Sequence, residues 1–180
     1  ILLNIREKDI VFTVRFLDRF PQQVSGDSIR VAQIFQNILS NACKFTEQGT
    51  ITLSLHCKME EGQVWFDGCV EDTGVGMTKE KLAQVFTEYV SFSEDMGLGL
   101  SIVRQLVEMM HGWVRAESDP GKGTRVSFGF YQKQVMAEIS EPRNIGREIL
   151  KEQNDPQVEE IQPNWIYPRA RVLLVDDMEA

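Results

Sequence analysis

Apolar residues recur at helical spacing between Ile29 and Phe45, where Val31, Ile34, Phe35, Ile38, Leu39 and Ala42 fall on one stripe. Spacings of three and four put side chains on one helix face, so the pattern predicts an amphipathic helix. Asp27 or Ser28 supplies its N-cap, and a Gln48-Gly49 turn stops it. The flanking segments change period. Residues 10–17 are rich in β-branched and aromatic side chains and read as a strand ending before Pro21. Ile51, Leu53, Leu55 and Cys57 alternate as in a half-buried strand, and Val64, Phe66 and Val70 mark a second one. Glu60-Glu61-Gly62 joins the two as a hairpin. Thr78 then caps a short helix through Phe86. Leu98 to Met110 predicts a third helix, with Leu98, Ile102, Leu106 and Met110 on its apolar face. Trp113–Ser118 and the alternating Val126, Phe128 and Phe130 are two last strands around the tight turn Asp119-Pro120-Gly121-Lys122-Gly123.

The periodicity stops at Gln134. Residues 135–168 are rich in Glu, Gln, Asn and Pro, which is linker composition. Arg171-Val-Leu-Leu-Val175 reads as a buried strand followed at once by Asp176-Asp177. The expected organisation is therefore a domain over 1–134, a linker over 135–169, and the truncated start of a second domain over 170–180. Because the chain opens mid-pattern at Ile1-Leu2-Leu3, we expect a fragment of a longer protein.

Composition narrows the function classes. The 180 residues are 42% hydrophobic and 26% charged, as in ordinary globular domains, with a net charge of −8. Such an acidic chain is a poor general binder of nucleic acid, so none is expected as a partner. An anionic ligand would need a local site of backbone N–H groups, a few cations and a metal ion. Cys43, Cys57 and Cys69 form no CxxC pair and lie in apolar stretches, so buried free thiols in a reducing compartment are expected. No apolar run approaches the ~20 residues that span a bilayer. We expect a cytoplasmic domain.

Four groups of residues could carry chemistry. Arg30, Gln33, Asn37, Asn41 and Lys44 share the polar face of the first helix. By itself that face reads as a solvated surface, yet Asn oxygens suit Mg²⁺ and a Lys point charge suits phosphate. Glu71-Asp72-Thr73-Gly74-Val75-Gly76-Met77 follows a strand. It is an ordinary turn in one reading. In the other, Asp72 accepts from an exocyclic amine while the glycines let a purine approach the backbone. Such a carboxylate prefers adenine to guanine, whose keto oxygen would face it. Gly97-Leu98-Gly99-Leu100-Ser101 opens a helix, where free N–H groups favour an anion, although GxG alone is weak. Gly121-Lys122-Gly123-Thr124 is by default a hairpin turn.

In order and spacing these groups resemble the catalytic ATP-binding domain of sensor histidine kinases, in the wider GHKL superfamily with gyrase, Hsp90 and MutL. Asp27 through Thr46, with Arg30, Gln33, Asn37, Asn41 and Lys44, resembles the asparagine box almost residue for residue. Asp72-Thr-Gly74-Val-Gly76-Met77 resembles the first glycine box, Phe86-Thr-Glu-Tyr89 the phenylalanine box, and Gly97-Leu-Gly99-Leu100 the second glycine box. Gly121-Lys-Gly123-Thr124 resembles the last. The likeness covers roughly residues 5–132, and five ordered motifs do not match by chance.

The resemblance implies an α+β fold, a two-layer α/β sandwich of a mixed sheet and three helices known as the Bergerat ATP-binding fold. ATP would lie between the layers under a lid. It implies Asp72 on the adenine amine, with Gly74, Gly76 and Thr124 around it. Asn41 would ligate Mg²⁺ with help from Asn37, Lys44 would contact phosphate, and Gly97, Leu98, Gly99 and Leu100 would cradle the phosphates. The ATP-hydrolysing cousins carry a Glu base where Asn37 stands, and Asn cannot take a proton. The implied activity is therefore transfer of the γ-phosphoryl group to a His on a separate dimerisation domain, with slow hydrolysis. A degenerate nucleotide-binding module without transfer is the alternative.

His56 and His111 lack the family's acidic helical context, so both are expected to be structural, with the accepting His outside this chain. Arg171-Val-Leu-Leu-Val-Asp176-Asp177 resembles the first strand and acidic pair of a receiver domain, as in a hybrid kinase. The fragment would be monomeric and the whole protein a homodimer, with membrane anchoring left open. Only Val90–Met96 separate the phenylalanine and second glycine boxes, and Asp95 stands where a glycine is expected. The expectation is a lid of which part, near Glu94–Met96, is not represented here, rather than one truncated outright.

Overall fold

The computed structural model describes residues 8–21, 23–87, 99–135, 139–140 and 144–147. Strands β1 (Asp9–Phe16), β2 (Phe20–Pro21) and β3 (Val24–Ser25) precede helix α1 (Ser28–Phe45). Then come β4 (Gln48–Glu60), β5 (Gln63–Asp72), α2 (Lys79–Gln84), α3 (Gly99–Met109), β6 (Trp113–Asp119), β7 (Gly123–Gln134), β8 (Ile139–Ser140) and β9 (Asn144–Arg147). The main sheet runs β3-β7-β5-β4-β1-β9, with β6 also paired to β7. It is mixed, because β1 lies parallel to β4 while the other pairings are antiparallel. Strands β2 and β8 pair apart from it.

Helices α1 and α3 cover one face of this sheet, giving the mixed α+β architecture expected. The reason lies in two matched periods. Ile34, Ile38, Leu39, Ala42 and Cys43 are buried along α1, and Leu100, Val103 and Val107 along α3. They meet the inward residues Ile10, Ile51, Leu53, Val70, Val126, Phe128 and Phe130 in one cluster. Ile34 is completely buried. Ile34→Ala is therefore expected to lower unfolding free energy by about 2–5 kcal/mol, measured by chemical denaturation.

Local signals account for the element ends. Asp27 is the N-cap of α1, its carboxylate accepting from the Arg30 N–H at 3.0 Å. The β4–β5 hairpin turns on Glu61 and Gly62, both at positive φ (31° and 85°), as a two-residue loop requires. Thr78 caps α2, which ends at Gln84 rather than Phe86.

Three features differ from expectation. Gln48-Gly49 opens β4 instead of forming a separate turn, the bend being absorbed by Gly49 at φ 119°. The core face of α3 is Leu100, Val103 and Val107; of the expected stripe, Met110 just past the helix is buried, whereas Ile102 and Leu106 are only half-buried. Both stripes are apolar at helical spacing, and the sheet selects one. Strands β8 and β9 fall in the segment of linker composition, where β9 pairs with β1 along residues 12–15. Among the described residues, no helix is long and apolar enough to cross a membrane.

Candidate functional site

The second half of α1, the loop after β5, the start of α3 and the β6–β7 turn converge at one end of the fold. Gly99, the first residue of α3, faces the polar side of α1. A methyl group there would lie 3.3 Å from Asn41 Nδ2 and 3.6 Å from Asn37 Oδ1. Glycine thus lets the helix start sit directly against both Asn side chains. The Asn37 Nδ2 is buried and has no hydrogen-bond partner among the described residues, an orphan that normally signals a missing ligand or water. Lys44 is exposed one turn on, its Nζ 5.4 Å from the Phe45 ring centre. Leu100 packs its side chain into the core, leaving only its backbone for a ligand. Gly97 and Leu98, the Val90–Met96 connection and Tyr89 lie outside the described residues.

Asp72 ends β5 between the other strands, opposite Ile51 on β4 and Thr124 on β7. Its Oδ1 accepts from the Gly74 N–H at 2.9 Å and the Thr124 N–H at 3.2 Å. Neither bond uses Oδ2. Burial pushes the Asp72 carboxyl above its ordinary pKa, against the opposing pull of those two backbone N–H groups.

The glycines after Asp72 have reasons inside the protein. A side chain on Gly74 would collide with the Phe45 carbonyl oxygen at the end of α1. Gly76, at φ 65°, would collide with the Asp119 carbonyl. The loop is tied at the same places, with Val75 N–H donating to Phe45 O at 3.1 Å and Gly121 N–H donating to Val75 O at 2.8 Å. Close backbone packing, rather than room for a purine alone, requires glycine at both positions.

Ser118 and Lys8, which the sequence motifs did not single out, and Thr46 at the end of the asparagine box complete the frame. Ser118 Oγ accepts from the Met77 N–H at 2.8 Å, donates to the Gly123 carbonyl at 2.8 Å, and lies 3.0 Å from Thr124 Oγ1. The Lys8 ammonium donates to the carbonyls of Cys43 (2.9 Å) and Thr46 (3.1 Å) and to Glu47 Oε1 (2.9 Å), closing the C-terminus of α1. Thr46 is fully buried beneath Gly74, its hydroxyl without a hydrogen-bond partner among the described residues. The position of Ser118 just before a Pro-Gly turn is a weak signal. Lys8 has none, since its partners lie 35 or more residues away. The two histidines stand apart from this frame. His56 Nδ1 lies 3.0 Å from Asp18 on the sheet, and His111, at φ 55°, turns the chain out of α3.

Comparison with known proteins agrees with this fold. Residues 26–134 match the family model described as histidine kinase-, DNA gyrase B-, and HSP90-like ATPase. The aerobic respiration control sensor protein ArcB of Escherichia coli is 29% identical over 177 residues, covering 93% of this chain but 22% of ArcB. Hybrid signal transduction histidine kinase B of Dictyostelium discoideum is 35% identical over 135 residues, covering 69% of this chain and 7% of its own length. The chain therefore spans less than a quarter of these relatives. Among solved structures, full-length ShkA in complex with AMPPNP superposes with a TM-score of 0.61 at 30% identity, over 74% of this chain and 28% of that one. The mycobacterial sensor histidine kinase MprB gives 0.58 at 25% identity, over 74% of this chain and 89% of that one. With residues 26–134 matching that family model on a matching fold, the chain belongs to the GHKL-type ATPase family and carries the ATPase domain of histidine kinases.

Proposed function

We propose that this domain binds Mg·ATP and donates its γ-phosphoryl group to a histidine on a dimerisation domain of the same protein, for relay to a receiver domain. The observation that carries the reading is Asp72: a half-buried carboxylate fixed through one oxygen by two backbone N–H groups, its other oxygen left for a donor. An adenine amine is such a donor, and a guanine keto group is not. Gly74, Gly76 and Thr124 hold that pocket. Asn37, Asn41, Lys44 and the glycine-opened start of α3, with Gly97, Leu98, Gly99 and the Leu100 backbone, would take the phosphates.

The residues present fit Mg²⁺. The described residues contain no cluster of three or more His, Cys, Asp or Glu suited to a metal. A divalent ion here would share Asn41 and Asn37 oxygens with phosphate oxygens and water, the usual habit of Mg²⁺. The buried Asn37 Nδ2, with no partner among the described residues, is a donor suited to a phosphate oxygen or water, while the Asn37 and Asn41 oxygens are the groups that would face the ion. Bound there, the ion would neutralise charge on the transferring phosphoryl group. Asn37 offers no base for water, so the site holds ATP for an incoming imidazole instead of hydrolysing it. The likeness to a hybrid kinase and the Arg171–Asp177 segment support a receiver domain as the next acceptor.

Calorimetric titration with ATP and GTP, with and without Mg²⁺, tests the reading. We expect binding of ATP, tightened by Mg²⁺, with GTP at least about tenfold weaker. Asn41→Ala is expected to remove the Mg²⁺ dependence. Equal binding of both nucleotides, or of neither, would overturn the assignment.

A further inference from the structure

Ser118, next to last in β6, joins the Asp72 loop to the hairpin that carries Thr124. Its three contacts determine more than position. A serine hydroxyl has one proton and two lone pairs. The Gly123 carbonyl, 2.8 Å away, has no proton to give, so the Ser118 proton is committed there. The Met77 N–H takes one lone pair at 2.8 Å. The remaining contact, 3.0 Å to Thr124 Oγ1, must then run from Thr124 to Ser118. Thr124 has spent its only proton away from the pocket, and its oxygen keeps lone pairs alone. Asp72, which accepts the Thr124 N–H, is likewise an acceptor.

From this we infer that Ser118 is a specificity-determining positioning residue. By consuming the Thr124 hydroxyl proton it makes the Asp72–Thr124 pair acceptor-only, matched to a 6-amino purine and mismatched to a 6-keto purine. The inference rests on the adenine reading of Asp72 and adds the residue that sets the polarity of its neighbour. Without Ser118, the Thr124 hydroxyl turns freely and can donate to a keto oxygen, which a pocket of fixed acceptors refuses.

The test compares ATP with inosine triphosphate, which carries a keto oxygen in place of the adenine amine, by calorimetric titration of the whole chain. Ser118→Ala is expected to narrow the ATP preference by about fivefold or more, roughly one hydrogen bond's worth. Ser118→Thr, which keeps the hydroxyl, should retain the parent ratio. In a Thr124→Val background, Ser118→Ala should leave the ratio unchanged. A purely structural tie would weaken both nucleotides by one factor, and that result overturns the proposal. A parent chain with no preference for ATP overturns the adenine reading instead, and the proposal with it. Should Ser118→Ala fail to fold, Ser118→Gly takes its place, and an unchanged ratio there counts against the inference.

Discussion

Asp72→Asn is expected to lower ATP affinity about a hundredfold while leaving the ligand-free chain at least as stable as its parent. The two effects come from one cause. Burial raises the Asp72 pKa, so the folded state prefers the carboxyl protonated. A carboxyl whose folded pKa exceeds its unfolded value contributes stability at low pH and loses it as pH rises through the folded pKa. At neutral pH the ionised group therefore costs the fold free energy. Asparagine removes that charge, and its oxygen can still accept from the Gly74 and Thr124 N–H groups. What it cannot reproduce is the second acceptor, because an NH₂ would meet the adenine amine donor to donor. Binding should fall with pH in the same parent chain, as protonation takes that acceptor away in a window above the ordinary carboxylate range. Titrations at descending pH and thermal melts of both proteins check this. A substitution that lowers the melting temperature and spares binding would make Asp72 a scaffold residue.

The sequence made local features legible and hid those decided at a distance. Asp27 caps α1 because it stands three residues before the N–H it accepts from, and Glu61-Gly62 turns the hairpin within two positions. The asparagine helix and the loop after Asp72 were visible for the same reason, each motif being contiguous. Strands β8 and β9 were not, since two to four residues of edge strand carry no period, and their identity comes from partners more than a hundred residues earlier. The core face of α3 was ambiguous because Ile102 and Leu106 compete with Val103 and Val107, and only packing on the sheet decides. Ser118 and Lys8 act through contacts that join separate segments, so no local pattern announces them. The glycines are the most instructive case. Their spacing pointed to a ligand, whereas the nearest obstacle to a side chain at Gly74 or Gly76 is the protein's own carbonyl.

Gly74→Ala should therefore abolish measurable ATP binding and also cost about 1–3 kcal/mol of stability, although one methyl group is all that is added. The new carbon would press on the Phe45 carbonyl oxygen and on the carbon behind it, with the Thr46 hydroxyl 2.9 Å away. None of these is the far end of a flexible side chain that could swing aside. The loop must retreat, breaking the Val75 N–H bond to that carbonyl and dragging the Gly74 N–H off Asp72. The Asp72 carboxylate is then free to rotate, and a fixed acceptor becomes a mobile one. Phe45 also closes the helix that carries Asn41 and Lys44, so the adenine and phosphate halves of the site would lose their common reference. Gly62→Ala provides the comparison. Gly62 sits at φ 85° with open space around its missing side chain, so alanine there costs only backbone strain of about 1 kcal/mol. Denaturation and nucleotide titration of the two variants separate the mechanisms: Gly62→Ala should keep ATP binding and Gly74→Ala should lose it. If Gly74→Ala binds ATP normally, the contact between the Asp72 loop and the end of α1 does not hold the site, and the two halves are positioned independently.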